Sequence, residues 1–521
     1  MNKKIRILAA ALSTLMLLAS CGQKPGAESG RTEQSGAREG KLFTAPTELD
    51  LVITSHVSWP YNENWEVWKY FKEATGAEFN IQAIPGADLE TKLPLMMASP
   101  ESLPDLIYMY AKSQVDAHAL SGAFVSLDDR MEEMPNYRAF LESLPEETAE
   151  ELVRQRTSGD GKVYSAPCYG TQTVTNLRTW LYREDIFKKH KLKAPETFEE
   201  LYQVCKKLKE LYPESYPLCF REGLFKLEDI GPSWQSYFSY LPYYDFDAEE
   251  WRCGAQEPVM KEIVEYFLKL KKEDLVPPNY TTIETKSWEE LMSTDRGFIT
   301  FDYVVRIDFF NTPNRQTNPE YTLTMMAPPK PDVATGSQRL NKTNLDFSGY
   351  SICNTGKEER IRNAVKLVDW MYTDEAQELL SWGKAGETYK EEKGKRTYIL
   401  EEGEQPQTRY GFATSGTYQR MNEEAFEATY TEENVASSRK VLEYLQPYAN
   451  PLNWLPMNDE EASRENQLRV ELRSYAEEEL SKFLLGQKPM SEWDGFVEGL
   501  KQMGVDELLS IYDAAYKRVA G

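Results

Sequence analysis

Between Leu49 and Met109 the chain alternates short apolar runs with helix-period segments, and few folds accept that order. Leu49–Thr54 has the continuous apolar pattern of a buried strand. Glu63–Thr75 carries Trp65, Trp68 and Phe71 at helical spacing, and Gly76 provides a stop. Phe79–Ile84 reads as a second strand, Leu89–Ala98 as a helix and Leu106–Met109 as a third strand. Strand, helix, strand, helix, strand implies a parallel sheet with right-handed crossovers. The pattern returns further on. Asp160-Gly161 makes a turn before Lys162–Ala166, and Trp180–Tyr182 reads as a strand. Thr197-Phe198-Glu199-Glu200 is a capping box opening a helix whose buried stripe is Phe198, Leu201, Cys205, Leu208 and Leu211. Phe298–Phe301 and Tyr321–Met326 are further strands, and Tyr350–Cys353 precedes a helix at Arg360–Tyr372. From about residue 460 the pattern is helical, over Glu461–Leu485, Trp493–Met503 and Val505–Arg518. A chain of 521 residues exceeds what one hydrophobic core supports. The expectation is two α/β lobes with a helical tail.

The amino terminus sets the compartment. Lys3, Lys4 and Arg6 form a positive region and Ile7–Leu18 an apolar one, too short to span a bilayer, which needs roughly 20 residues. This is the layout of an export signal over residues 1–20. It ends Leu18-Ala19-Ser20-Cys21-Gly22, which resembles the bacterial lipobox. The resemblance implies that Cys21 becomes the lipidated, acylated (palmitate-type) mature terminus and anchors an extracytoplasmic protein to the cell membrane. Residues 21–46, rich in Gly, Ser, Glu and Gln, read as a flexible tether of roughly 25–30 Å r.m.s. span. The remaining cysteines, Cys168, Cys205, Cys219, Cys253 and Cys353, are odd in number and without a CxxC pair. They fit mostly free, buried thiols with at most two disulfides.

Five collinear stretches resemble the extracellular solute-binding proteins of family 1, and within it the large lipoproteins that serve oligosaccharide ABC importers. The first is the lipobox. The second is Leu103-Pro104-Asp105-Leu106-Ile107 with Ser121–Asp128. The third, and most specific, is Asp160–Pro167 leading to Leu181–Asp185, Leu192 and the helix start at Pro195–Leu201. The fourth is Trp382–Tyr389 followed by Gly394-Lys395, with Ala385 where Glu is common. The fifth runs from Phe483–Gly486 through Trp493-Asp494 and Gly504 to Ile511-Tyr512 and Ala515-Tyr516. The resemblance implies a two-lobed, type II periplasmic-binding-protein-like fold. Residues 47–165 plus 345–373 would form lobe 1 and 166–344 plus 374–521 lobe 2, with hinges near Ala166–Tyr169 and Phe347–Cys353. It also implies a monomer that holds a solute, an oligosaccharide foremost and a peptide next, and delivers it to ABC permease subunits. A sensing lipoprotein without transport is the other reading. Ligands of open α/β sheets sit at strand carboxyl ends, which agrees.

A sugar cleft needs aromatic platforms for C–H faces and planar polar groups for hydroxyls. Loop aromatics following strands meet that need: Trp59 and Tyr61 after the first strand, Tyr108 and Tyr110 after the third, and Tyr169 after Pro167. The aromatic run at 234–244 adds Trp234, Tyr237 and Tyr240, Asp302 and Arg306 follow another strand, and Trp382 and Glu387 lie in the Gly-rich stretch. Each has a structural alternative, core packing for the rings and an ion pair with Asp302 or Asp308 for Arg306.

Other classes find little material. A net charge of −24 repels phosphate backbones, so no nucleic-acid partner is expected. His56, His118 and His190 lack metal-ligand spacing, and neither GxSxG nor a Walker loop occurs. No enzyme activity and no cofactor are expected. The nearest thing to a calcium loop, Asp245–Glu250, lacks the Gly that the EF-hand turn requires, so no metal is expected either.

Overall fold

The computed structural model describes residues 40–520 except 57–58, 100–101, 172–176, 222, 224–229, 235–241, 246–247, 332–337, 342–346, 402–403, 447–454 and 456. The export segment, Cys21 and Tyr237 lie outside the described residues.

In chain order the elements that matter are β1 (Thr47–Ser55), α1 (Glu66–Thr75), β2 (Ala77–Pro85), α2 (Gly86–Met97), β3 (Leu106–Met109), β4 (Ala166–Pro167) and β5 (Arg178–Arg183). There follow α3 (Phe198–Leu211), α4 (Pro258–Lys272), α5 (Thr285–Ser293), β6 (Ile299–Tyr303), α6 (Arg306–Asn314), β7 (Leu323–Met325) and β8 (Gly349–Ile352). The chain ends through α7 (Glu358–Trp370), α8 (Asp374–Ser381), α9 (Glu432–Val441), α10 (Asp459–Leu484), α11 (Trp493–Gln502) and α12 (Val505–Ala520).

The first sheet has the order β2-β1-β3-β8-β4. β1 pairs in parallel with both β2 and β3, as strand–helix–strand succession requires, while β8 runs antiparallel to β3 and β4. Side-chain alternation splits this sheet between two apolar layers. Leu49, Leu51 and Ile53 of β1 and Leu106 and Tyr108 of β3 enter the layer formed with α1 and α7. Val52, Ile107 and Met109 face Leu89 and Leu93 of α2. Both faces are covered, which explains why the strands read as continuous apolar runs.

The second sheet, β6-β5-β7, is antiparallel throughout. It packs with α3, α4, α10 and α11 around Trp180, Leu201, Phe267, Trp288, Leu472 and Phe496. Thr197 caps α3 by accepting the Glu200 N–H at 3.1 Å, while the Glu200 carboxylate reaches the N–H of Glu196 instead of the cap's own. The stripe Phe198, Leu201, Cys205 and Leu208 is buried, but Leu211, the last residue of the helix, is 37% exposed.

Two boundaries differ from the sequence reading. Leu42 and Phe43, expected in the tether, are buried in the first core, and their N–H groups bond the carbonyls of Ala74 and Thr75 at the end of α1. These apolar residues close the C-terminal turn of α1 that Gly76 ends. Ala376, Leu380, Tyr410, Phe412, Tyr418, Met421 and Phe426, expected in lobe 2, belong to the first core. Among the described residues the chain therefore passes between the two cores three times: between Cys168 and Leu177, between Leu340 and Tyr350, and between Phe426 and Val441. All five described cysteines are free and buried, and desolvation raises the pKa of Cys205, Cys219, Cys253 and Cys353.

Candidate ligand-binding site

The loops after β1, β2, β3 and β4, and the residues entering β8, gather at one edge of the first sheet, because the first four strands run the same way and β8 runs against them. After β1, the rings of His56 and Trp59 stack at 3.9 Å and 13°, and Trp59 remains half-buried. Tyr61 is held by the bond from its N–H to Ser55 Oγ and presents its ring edge-on to Trp65 at 5.9 Å. After β3, the Tyr110 hydroxyl donates to the Gly86 carbonyl at 2.7 Å and so ties two of these loops together. After β4, Tyr169 is half-buried and clamped by the 418–421 strip. Its N–H donates to Gln419 O at 2.8 Å, and its carbonyl accepts from Met421 N–H at 2.7 Å. Burial raises the pKa of Tyr61 and Tyr169, so both stay neutral hydroxyl donors.

Of the residues expected to touch a ligand, Trp59, Tyr61 and Tyr169 share this edge and retain exposed surface. Several others do not. Tyr108 is 4% exposed, edge-on to Tyr350, with its hydroxyl 3.6 Å from Cys168 Sγ. It lies within β3 on the face of Leu106, where alternation sends it into the core. Trp234 stacks on Phe198 at 3.7 Å inside the second core. Trp382 is fully buried against Tyr389 and Tyr398. Glu387 is exposed beside α1 and accepts the Tyr70 hydroxyl. The segment from Trp382 to Tyr389 is packed onto the first lobe, with Lys384 bonded to Glu73.

Asp302 is fully buried at the end of β6 and acts on its neighbours. It accepts Arg221 through both oxygens, at 2.7 and 3.1 Å, and Arg306 Nε at 3.4 Å. Arg178, opposite Tyr303 in the ladder, donates to the Tyr303 hydroxyl at 2.7 Å. The sequence reading singled out Asp302 and Arg306 but missed Arg221, which stands 81 residues earlier and is brought in only by the fold. This cluster sits where the chain enters the second lobe. Val304 N–H donates to Leu177 O, and its own carbonyl accepts from Asn434 of α9. The first and third passages thus converge on the start of α6.

Asp245 of the supposed calcium loop bonds the Ala248 N–H and pairs with Arg252 at 2.9 Å, so a guanidinium lies against that carboxylate. Among the described residues no group of three or more His, Cys, Asp or Glu is arranged to hold a metal, and no helix is long and apolar enough to cross a membrane.

Comparison with known proteins yields one family. Residues 63–378 match the family described as bacterial extracellular solute-binding protein. The polygalacturonan/rhamnogalacturonan-binding protein YtcQ of Bacillus subtilis is 21% identical over 86% of this chain and 88% of its own length. Lipoprotein LipO of the same organism is 22% identical over 62% of this chain and 63% of its own length. Among solved structures, the alginate-binding protein AlgQ2 without calcium ion superposes with a TM-score of 0.71, at 20% identity, over 92% of this chain and all of that one. This structural likeness shows the two-lobed fold.

Proposed function

The chain belongs to the bacterial extracellular solute-binding proteins, and from that premise we propose that it captures an oligosaccharide between its lobes and hands it to the permease of an ABC importer. The observation that carries this reading is the repeated passage between two separate cores, the first leaving from and the second entering at the edge that bears Trp59, Tyr61 and Tyr169. Half-exposed rings on loops offer apolar platforms for the C–H faces of pyranoses, with phenol hydroxyls for sugar oxygens. A relative that binds polygalacturonan and rhamnogalacturonan, and a structural neighbour that binds alginate, support a polymeric sugar over a peptide.

In this proposal residues 41–167 with 348–430 form lobe 1, and 177–341 with 441–520 form lobe 2. Open and closed arrangements differ by a few kcal/mol, and a ligand touching both lobes stabilises the closed one, the form the permease accepts. Cys21 carries the lipid and keeps the protein at the outer face of the cytoplasmic membrane. A relative that is itself a lipoprotein supports this part of the reading. The test is small-angle scattering over an oligosaccharide panel preselected by thermal shift. A ligand that raises the melting point should also reduce the radius of gyration. Stabilisation with an unchanged radius would remove the clamp mechanism.

A further inference from the structure

We infer that Arg306, together with Phe309, reads the carboxylate of a uronic acid unit, so that the solute is an anionic oligosaccharide; this rests on the oligosaccharide reading above and narrows it. The argument begins from how differently two arginines of this lobe are used. Arg183 is 1% exposed and fully committed: Nε and Nη2 grip both oxygens of Asp185 at 2.8 Å, Nη1 donates to Thr294 O, and Cζ lies 4.0 Å from the centre of the Tyr321 ring. Arg306 makes a single long hydrogen bond, Nε to Asp302 at 3.4 Å. Neither of its Nη nitrogens has an acceptor among the described residues, and its side chain is 18% exposed. Asp302 is already taken by the two-point grip of Arg221, so it orients Arg306 without occupying the outer edge of its fork.

The orientation is further fixed by aromatic flanks. Trp288, buried and bonded to Thr300, lies 5.4 Å from the guanidinium, and Phe309 lies 4.9 Å away on the same face of α6. Phe309 is 45% exposed, an uncommon state for a Phe in a well-packed lobe. An oriented guanidinium with its two outer nitrogens open matches a carboxylate bidentately. An exposed ring one helical turn away matches the apolar face of the pyranose that bears it. A neutral glycan can offer the fork hydroxyl oxygens but no charge to match its own. The chain as a whole is strongly acidic, so an anionic sugar would be turned away without a local cation. The start of α6, where the first and third passages enter the lobe, puts this pair at the interlobe side.

The experiment is calorimetry on the full exported protein with three probes of equal length: trigalacturonate, its methyl ester and neutral galactotriose. The parent should prefer the acid over the ester by at least tenfold, and that preference should fall as salt rises. Arg306→Gln should weaken the acid roughly 10- to 100-fold, the loss expected for a charge-assisted pair, while changing ester binding by less than about twofold. Arg306→Lys should recover only part of the loss, because it keeps charge without the fork. Phe309→Ala should weaken acid and ester alike. Melting curves without ligand should be unchanged in Arg306→Gln, which separates loss of contact from loss of fold. If Arg306→Gln binds the acid as the parent does, or the parent binds galactotriose and ignores the acid, this inference falls and the oligosaccharide reading stands. If no probe and no other saccharide binds, both fall.

Discussion

Replacing Gly349 by Ala tests whether the first two passages are fastened at a single point. A Cβ on Gly349 would lie 1.7 Å from the Ala166 carbonyl oxygen and 2.8 Å from its carbon, where real contacts essentially never fall below 3.0 Å. β4 and β8 would have to part by about 1.3 Å, enough to break the Ala166–Tyr350 and Pro167–Gly349 pairing and the 2.8 Å bond from Cys168 N–H to Ser348 O. At ~1 kcal/mol net per hydrogen bond the loss is about 2–4 kcal/mol. The reduced backbone freedom of Ala in the unfolded chain returns up to about 1 kcal/mol of that. A lobe of this size should melt roughly 4–10 °C lower. The damage should also reach ligand affinity, because β4 leads into the first passage and β8 out of the second. Differential scanning calorimetry and ligand titration on the same preparation measure both. A variant melting within about 1 °C of the parent would mean that the strands can part freely here and that the two passages are not tied at this bridge.

Trp59→Ala should weaken saccharide binding by about 1–3 kcal/mol with little change in melting, whereas Trp234→Ala should do the reverse, costing about 3–5 kcal/mol of stability with affinity kept. Calorimetry and urea titration on the pair decide between them, and an affinity loss confined to Trp234→Ala would reverse the assignment. Arg360→Met should destabilise the first lobe by roughly 2–4 kcal/mol in urea, because the fully buried Asp105 would lose a guanidinium that grips both its oxygens. Burial works to raise the pKa of Asp50, but bonds from Asn80 and Arg360 outweigh it and hold the carboxyl below its ordinary value. Its contribution is therefore present above the unfolded pKa of about 3.9 and is lost as pH falls through the folded one. The parent's stability should decline across that window more than the variant's. Cys21→Ser should release the protein from membranes into the culture medium, as fractionation and immunoblotting would detect.

Much of the fold was legible because alternation and burial act locally. The runs at Leu49–Thr54 and Leu106–Met109 fall within the observed β1 and β3, and the helices expected at 360–372, 461–485 and 493–503 appear within two residues at each end. The assignment of 374–430 to a lobe was not legible. An amphipathic stripe such as Ala376 and Leu380 states that a face is buried but not in which of two cores, and that choice depends on contacts hundreds of residues apart. Trp65, for example, donates its indole N–H to Thr408 O. The cleft aromatics were half legible for the same reason. Tyr108 could have been excluded by counting alternate positions from Leu106, but Trp234 and Trp382 are loop or helix-end residues whose neighbours Phe198 and Tyr398 lie on other elements.

The charged residues of the site follow a different logic, one of competition. Arg183 is followed two positions later by Asp185, so its partner is supplied locally and its role as an internal pair is decided almost by sequence alone. Arg306 has Asp302 one helical turn before it, which by spacing alone suggests the same outcome. The fold overrides that suggestion by delivering Arg221 to Asp302 first and with better geometry, 2.7 Å against 3.4 Å. Arg221 holds both oxygens of Asp302, and Arg306 is left the longer contact through one nitrogen. Arg306 then keeps its orientation, set by Trp288 and Phe309, and its open edge. Specificity for a charged sugar would thus come from an arginine that loses the contest for an internal partner in a protein that is otherwise acidic.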